Sequence, residues 1–321
     1  MSKAKAKKDI RKVKAGKRRG RDAAEKSVVF IVDGGIGKCI MSTVVIRGIK
    51  KKYPDRNIVV LSGYPDIFNY NPNVYRPYFM GNTTFFYDDY IVDQDAEVLK
   101  SEPYYARSYL RGDPVHLTRL WCEQLDVPFD NPKPDLFFSK QEKRQAAAFI
   151  KQKPKPIFFI QFEGGKPPSP NEPPAKMFIR SLPIETVQAV VNDMKKDFHV
   201  MVMKAATQAE IEGAESVSYP LRLSLALMEN AEKLLLIDSM GQHAAAALGK
   251  KAVVCWSGTD PARLGYESHI NLTVAKKCPD PFCHRPNSYL FDRDGTLNAW
   301  ECPYDEVCTE FDAADILKAL K

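Results

Sequence analysis

SVVFIVDGGIGK, residues 27–38, decides the fold class. Its first six residues, Ser27–Val32, form a short β-branched run, which is typical of a strand buried in a parallel sheet. A glycine-rich turn follows, and Cys39–Lys52 has the pattern of a helix that ends before Pro54. A second buried strand is predicted at Asn57–Ser62. This strand–helix–strand unit predicts a parallel sheet with right-handed crossovers.

The alternation of strands and helices begins again after KQKPKP, residues 151–156, a charged and proline-punctuated segment that is typical of an extended linker. Further strands are predicted at Ile157–Phe162, Phe198–Met203, Lys233–Ile237 and Ala252–Trp256. We therefore expect two Rossmann-like α/β domains, 27–152 and 153–321, that face a central cleft. Phe311–Leu320 has helical spacing and is assigned to the second domain, with packing back onto the first as the alternative.

Composition sets limits on the class of protein. The 321 residues suggest two domains, and the 44% hydrophobic content is that of a globular protein with a core. The apolar runs are too short to span a bilayer, and the first residues are basic without an apolar stretch, so no secretory signal is expected. We expect a cytoplasmic location. Seven cysteines, an odd number, favour reduced thiols over a complete disulfide framework.

Residues 1–26 form a basic tail. They hold twelve lysines and arginines against three acids, a net charge of about +9, which leaves about −2 for the rest of a chain whose total is +7. With almost no large apolar residues, the tail is predicted to be disordered or to form a fraying helix. It is either an arm that binds the phosphates of nucleic acid or of an anionic membrane surface, or a solubilising extension.

The segment IDSMGQH, residues 237–243, places an acid at a strand end and a small residue at a helix start. A helix N-terminus has unpaired N–H groups and a partial positive charge, so it favours a diphosphate. Ser239 is expected to cap the helix and donate to a phosphate, and Gly241 to let a ligand approach. The alternative is that Ser239 only caps and His243 packs under the sheet.

The turn at 33–38 has a similar shape but is not a Walker motif. Ile31 stands where that motif needs its first glycine, and Cys39 stands where it needs serine or threonine. The G-x-G-x-x-G order of nicotinamide-binding proteins is also missing. A tight turn for close helix–strand packing is the structural alternative.

Four cysteines occur late in the chain, at Cys278, Cys283, Cys302 and Cys308. Their spacing is wider than that of common zinc ribbons. A zinc site, one or two labile disulfides and buried thiols all stay open, and no metal is assigned.

At several motifs the chain resembles glycosyltransferase family nine, the ADP-heptose:lipopolysaccharide heptosyltransferases. The strongest match is DSMGQHAAAALG, residues 238–249, followed by SGTDP at 257–261. Asn71-Pro72-Asn73-Val74, Leu182-Pro183 and the late cysteines are also similar, so the resemblance covers most of Ser27–Leu320.

The resemblance implies a GT-B fold and an inverting transfer that needs neither metal nor cofactor, from a nucleotide-diphospho-sugar donor bound by the second domain. Arg180 or Lys176 is expected to neutralise the departing diphosphate. The donor-binding residues implied by position are Gly164, Gly165, Lys166, Lys176, Arg180, Asp238, Ser239, Met240, Gly241 and His243.

One departure from the family affects the catalytic base. Lys38 occupies the position after the last glycine of the first turn, where the family usually has an aspartate that acts as base. A protonated lysine is a poor base. Asp33, Asp113 and His116 are the candidate replacements. Alternatively, Lys38 binds an anionic acceptor, or catalysis has been lost.

Three functions follow. The first is transfer of a sugar to a glycan or lipid-linked glycan. The second is glycosylation of a modified base in viral DNA, suggested by the basic tail together with Lys38. The third is a non-catalytic protein that binds a nucleotide-sugar.

Overall fold

The computed structural model describes residues 26–164, 180–204, 208–283 and 304–321. The basic tail up to residue 25 lies outside these ranges. So do four residues singled out in the sequence: Gly165, Lys166, Lys176 and Cys302.

The first sheet has four parallel strands in the order β3-β2-β1-β4. They are β1 (Ser27–Val32), β2 (Asn57–Ser62), β3 (Arg76–Phe79) and β4 (Ala96–Leu99). The two inner strands are the apolar runs found in the sequence, because only inner strands are covered on both faces and flanked on both edges.

Five helices accompany this sheet: α1 (Ile36–Lys52), α2 (Phe86–Tyr90), α3 (Arg107–Arg111), α4 (Leu117–Gln124) and α5 (Lys140–Lys151). Helix α1 is buried along most of its length because it contacts α4 on its own domain and α8 of the second domain, described below. Helix α2 packs its aromatic residues against the opposite face, over Val29, Val59 and Leu61.

The second sheet has six parallel strands in the order β10-β9-β8-β5-β6-β7. They are β5 (Ile157–Ile160), β6 (His199–Met203), β7 (Glu215–Val217), β8 (Lys233–Ile237), β9 (Val253–Trp256) and β10 (Ile270–Thr273). Its helices are α6 (Ile184–Met194), α7 (Leu221–Glu229), α8 (Met240–Ala247), α9 (Pro261–Leu264) and α10 (Ala313–Leu320). Two parallel-sheet α/β domains confirm the predicted fold class.

The last helix packs on the second domain, and the alternative of packing back on the first was wrong. Helix α10 contacts α6, β8 and β9. Its buried Ile316 and Leu320, together with Phe311, join the apolar core that also contains Val187 and Val190 of α6.

Four strands were not predicted: β3, β4, β7 and β10. Each is short and only partly buried, so each lacks the apolar run that revealed the inner strands. Before β3, a 3-10 helix ends at Phe68, and the strand begins at Arg76.

In each sheet the order of the strands reverses at one position, because the chain adds strands first on one side of a central strand and then on the other. Strand β1 lies between β2 and β4, and β5 lies between β8 and β6. Ligands of open parallel sheets bind beyond the carboxyl ends of the strands at such a point. We therefore expect ligands to bind at the residues that follow β1, β4, β5 and β8.

The two domains also contact each other away from the strand ends, since α5 packs on α7 of the second domain. Arg222 of α7 donates to the Glu142 carboxylate of α5 at 2.5 Å and to the carbonyl oxygen of Asp66 at 2.7 Å. Arg263 donates to the carbonyl oxygen of Tyr109, over whose ring it lies. No helix in the described ranges is both long and apolar enough to cross a bilayer.

Candidate functional site

An ion network occupies the carboxyl edge of the first sheet. Lys38 Nζ lies 3.1 Å from Asp33 Oδ1 and 2.5 Å from Glu102 Oε2, and Lys100 Nζ lies 3.1 Å from Asp33 Oδ2. Asp33 follows β1, whereas Lys100 and Glu102 follow β4, its neighbour in the sheet. Hereafter these four residues are called the ion network. Glu102 was missed by the sequence analysis.

Lys38 is only 7% exposed, and its surroundings explain why a lysine is tolerated there. Its ammonium has two carboxylate partners and lies 5.4 Å from the centre of the Trp121 ring, a cation–π distance. The turn also leaves room for its stem: Gly34 has a φ of +99°, and a Cβ at this position would lie 2.9 Å from Lys38 Cδ. Lys38 is therefore engaged within the protein, and an anionic acceptor would have to compete with two carboxylates for it.

The pKa of Asp33 is lowered. Partial burial raises the pKa, but hydrogen bonds from Lys100 and Lys38 outweigh that effect. Asp33 is thus ionised at neutral pH but, held by two lysines, is a weakened proton acceptor. Its predicted role as base stays a prediction.

Asp113 and His116, the other candidate bases, have partners outside the ion network. Asp113 pairs with Arg111 at 2.7 Å on an exposed turn, and the hydrogen bond from Arg111 lowers the pKa of Asp113. His116 is the N-cap of α4, where its Nδ1 accepts from Thr118 N. Burial lowers the pKa of His116 to about 4, so the imidazole is neutral at pH 7.

The N-terminus of α8 is capped by a residue from another strand. Gly241 N donates to Gln161 Oε1 at 3.0 Å, and Gln161 Nε2 donates to Ser239 Oγ at 3.1 Å. Among the described residues, Ser239 makes no capping hydrogen bond with its own side chain, so the expected Ser239 cap was wrong. The amide of Gln161, just past the end of β5, takes that place. Nothing in the local pattern of residues 237–243 pointed to it.

His243 is buried where the two domains meet. A Cβ on Gly37 of α1 would lie 3.0 Å from His243 Cδ2, so the missing side chain of Gly37 lets the two helices touch. His243 Nδ1 is 2.8 Å from the Tyr266 hydroxyl, and burial lowers the His243 pKa well below its usual value. The ring of Tyr266 also contacts those of His116 and His269. His243 is thus a neutral, packed residue in this structure, and donor contact stays a prediction.

Asp238 and Arg180 lie on the second domain's side of the cleft. Asp238, directly after β8, is 5% exposed. Arg180 lies against Gly164, where an added Cβ would be 3.1 Å from the Arg180 carbonyl oxygen. The buried Nε of Arg180 has no hydrogen-bond partner among the described residues. A buried guanidinium N–H without a partner is costly, so this group is suited to an anionic ligand.

Tyr104 lies close to the ion network. Burial of its hydroxyl raises the Tyr104 pKa, as do Tyr109 and the carboxylates of Asp238 and Glu102, while Arg180 opposes them. Lys38 Nζ lies 5.9 Å from the centre of the Tyr104 ring, which packs 5.2 Å from the ring of Tyr109, and Arg263 of the second domain lies over the Tyr109 ring. Tyr104 therefore lies between the ion network and a contact with the second domain.

The late cysteines show no metal site in the part of the chain that is described. Cys278 and Cys308 are buried in a small apolar cluster with Ala275, and Cys283 is also buried. Within the described ranges, no three His, Cys, Asp or Glu residues are placed to hold a metal ion. Cys302 lies outside these ranges.

No protein-family model and no curated protein sequence matches the chain. Solved structures do match. The glycosyl transferase family 9 protein of Veillonella parvula DSM 2008 has a TM-score of 0.62 at 12% identity, over 93% of this chain and 97% of that one. The ADP-heptose lipopolysaccharide heptosyltransferase II of E. coli has a TM-score of 0.64 at 13% identity, over 92% and 97%.

A third similar structure is the dodecameric iron-containing heptosyltransferase TibC, from enterotoxigenic E. coli H10407, in complex with ADP-D-β-D-heptose. Its TM-score is 0.63 at 12% identity, over 94% of this chain and 80% of that one. The chain therefore has the heptosyltransferase-like GT-B fold that the sequence motifs implied. At such low identity, the likeness establishes the fold and leaves the chemistry to the residues of the site.

Proposed function

We propose that the chain is a glycosyltransferase, which transfers a sugar from a nucleotide-diphospho-sugar to an acceptor hydroxyl by an inverting, metal-independent reaction. The observation that carries the proposal is the difference between the two strand edges. One has a cationic group suited to a diphosphate, Arg180, and the other has carboxylates that can accept a proton. Transfer of a sugar needs both functions.

The donor is held from the second domain. Two of the similar structures are, by name, an ADP-heptose transferase and a heptosyltransferase bound to ADP-D-β-D-heptose. Because the N–H of Gly241 is already paired with Gln161, the diphosphate lies mainly against Arg180 and Ser239 rather than on Gly241. Asp238 then faces the sugar, whose hydroxyls it can accept from. The resemblance adds Gly165, Lys166 and Lys176 to the phosphate contacts.

The acceptor is a glycan or lipid-linked glycan bound at the carboxyl edge of the first sheet. Exposed aromatic side chains follow its strands: Tyr64 after β2, Phe79 at the end of β3, and Tyr105, 66% exposed, after β4. Aromatic rings present apolar faces with a polar rim, which suits the two faces of a sugar. The cations at this edge, Lys38 and Lys100, are paired with carboxylates. A neutral glycan fits this edge better than the phosphates of a nucleic acid, which need free cations.

A thermal-shift screen tests the donor site. The wild-type chain is heated with ADP, UDP, GDP, CDP and dTDP, and with their glucose or mannose esters. A ligand at about thirty times its dissociation constant stabilises the folded state by about 2 kcal/mol. Asp238→Ala is expected to weaken binding of the stabilising nucleotide-sugar about tenfold or more, through loss of hydrogen bonds to a charged group. Asp193→Ala, an exposed residue paired with Lys196 on α6, is the control.

Failure of every nucleotide and nucleotide-sugar to shift the melting temperature would reject the proposed function. A shift that Asp238→Ala and Asp193→Ala both retain would move the donor site elsewhere. Binding of duplex DNA that weakens steeply with salt would support the nucleic-acid alternative instead.

A further inference from the structure

Lys38 occupies the position at which the heptosyltransferase family that the chain resembles usually has the catalytic base. The structure shows which residues Lys38 contacts. It lies between two carboxylates that come from different strands. Strand β4 runs beside β1, with Ser27 opposite Ala96 and Phe30 opposite Leu99. The segment leaving β4 therefore reaches the glycine-rich turn, and Glu102 arrives beside Lys38.

The two carboxylates differ in how strongly they are held. Asp33 is engaged by two lysines, one on each oxygen. Glu102 has a lysine on Oε2 only, and its Oε1 accepts a long hydrogen bond of 3.4 Å from Tyr104 N. An oxygen with one weak donor is the better proton acceptor, because less stabilisation is lost when it is protonated. Glu102 is also 36% exposed, so a hydroxyl can reach it.

Glu102 also lies near a contact between the two domains. Its Oε1 accepts from the backbone N–H of Tyr104, whose ring packs 5.2 Å from that of Tyr109, and Arg263 of the second domain lies over the Tyr109 ring. A base must lie within hydrogen-bond reach of an acceptor hydroxyl that itself lies next to the donor sugar. A carboxylate of the first domain that lies close to the second domain is placed to meet this requirement.

We propose that Glu102 is the general base of the transfer and that Lys38 is the residue that positions it. This inference rests on the proposed function. The Glu102 carboxylate takes the proton of the acceptor hydroxyl while the hydroxyl oxygen forms a bond to the anomeric carbon of the donor sugar. The bond from that carbon to the diphosphate oxygen breaks, and its electron pair leaves with the nucleoside diphosphate. Glu102 then releases the proton to solvent.

The test is Glu102→Gln, which keeps the shape and removes the basic oxygen. Release of nucleoside diphosphate from ADP-glucose, UDP-glucose, GDP-mannose and dTDP-glucose is measured with water as the acceptor. We expect turnover to fall by roughly 10²- to 10⁴-fold, the usual contribution of a general base. The melting-temperature shift produced by the same nucleotide-sugar stays unchanged, which excludes misfolding. Glu102→Asp, with a shorter carboxylate, recovers part of the turnover.

Glu97→Gln is the matched control. It makes the same chemical change on β4 itself, where Glu97 Oε1 accepts from the Tyr53 hydroxyl, and full turnover is expected. Asp33→Asn compares the two carboxylates and is expected to lose about tenfold or less, because Asp33 acts only through Lys38.

Three results overturn the proposal while leaving the donor site in place. The first is Glu102→Gln turnover within threefold of wild type, and the second is a larger loss in Asp33→Asn than in Glu102→Gln. The third is nucleotide-sugar binding by the wild type without any hydrolysis. A wild type that neither binds nor hydrolyses these compounds rejects the proposed function itself.

Discussion

The two strand edges that face the cleft are built on different physical principles. The first-sheet edge is charged, and each member of its ion network has an oppositely charged partner. The second-sheet edge also has charged residues, among them Glu163, Asp238 and Arg180, but its packing uses neutral groups: the amide of Gln161 caps α8, and the buried imidazole of His243 contacts Tyr266. His116 of the first domain contacts the same tyrosine ring.

Because of this difference, we expect the two edges to respond to different changes. In the ion network, removal of one charge leaves its partners unpaired or repelling each other. We therefore expect such a change to act electrostatically and to lower the turnover. At the second edge, packing depends on uncharged imidazoles. We therefore expect acid to lower the free energy of unfolding. The predictions below test that separation.

Among these tests, the largest effect is expected from Lys38→Met. Glu102 would then lose the cation that holds its Oε2, while Asp33 would keep Lys100, so Glu102 would no longer be held in place. We expect a loss of nucleoside diphosphate release of about 100-fold, the lower range for a disabled base. Lys51→Met on the same helix, in an exposed pair with Asp130, is the control. Turnover within threefold of wild type would show that Lys38 does not hold Glu102 in place.

Acid should destabilise the second edge before the first. The folded-state pKa of His116 is about 4, below its value of 6.5 when unfolded, and that of His243 is also lowered. Below pH 6.5 the unfolded chain therefore binds more protons, and stability is lost as the pH falls from 6.5 towards 4. The lowered pKa of Asp33 acts only below its unfolded value of 3.8.

Urea unfolding at pH 7.5, 6 and 5 measures this effect. At about 1.4 kcal/mol per pH unit for one histidine, His116 alone accounts for up to about 2 kcal/mol between pH 6.5 and pH 5. His116→Gln should flatten the pH dependence, whereas His199→Gln, a half-buried residue paired with Glu215, should not reproduce this flattening. A profile that is flat from pH 7.5 to 5 in the wild type would contradict the neutral packing of these imidazoles.

The smallest effect is expected from Gln161→Ala. It removes the hydrogen bonds to Gly241 N and Ser239 Oγ, and loss of a helix cap costs about 1 kcal/mol. Affinity for the stabilising nucleoside diphosphate should change by less than threefold, because the proposed contacts are Arg180 and Ser239. Gln188→Ala on the exposed face of α6 serves as control. A tenfold change in affinity would place the Gln161 amide among the donor contacts.

The inner strands of both sheets were predictable because burial on two faces demands a continuous apolar run. Ser27–Val32 and Lys233–Ile237 have such runs, and their observed bounds agree with the predicted ones. The edge strand β3 includes Pro77 and mixes exposed with half-buried residues, so its sequence has no comparable signal.

The residues of the candidate site were predictable where the strands before them were predictable. Asp33 and Asp238 were found because they directly follow predicted strands, and Lys38 because it lies in the glycine-rich turn after the first strand. Glu102 was missed because β4 was not predicted, and the position of Glu102 matters only once β4 is known to lie beside β1. Gln161 lies within the predicted strand Ile157–Phe162, but its role as a cap depends on a contact with Gly241, eighty positions away, which local sequence does not reveal.

The contact of Gly37 with His243 has a mechanical consequence. Because Gly37 has no side chain, α1 and α8 meet directly. Any side chain at position 37 would force the His243 ring to shift, and with it the packing between the two domains.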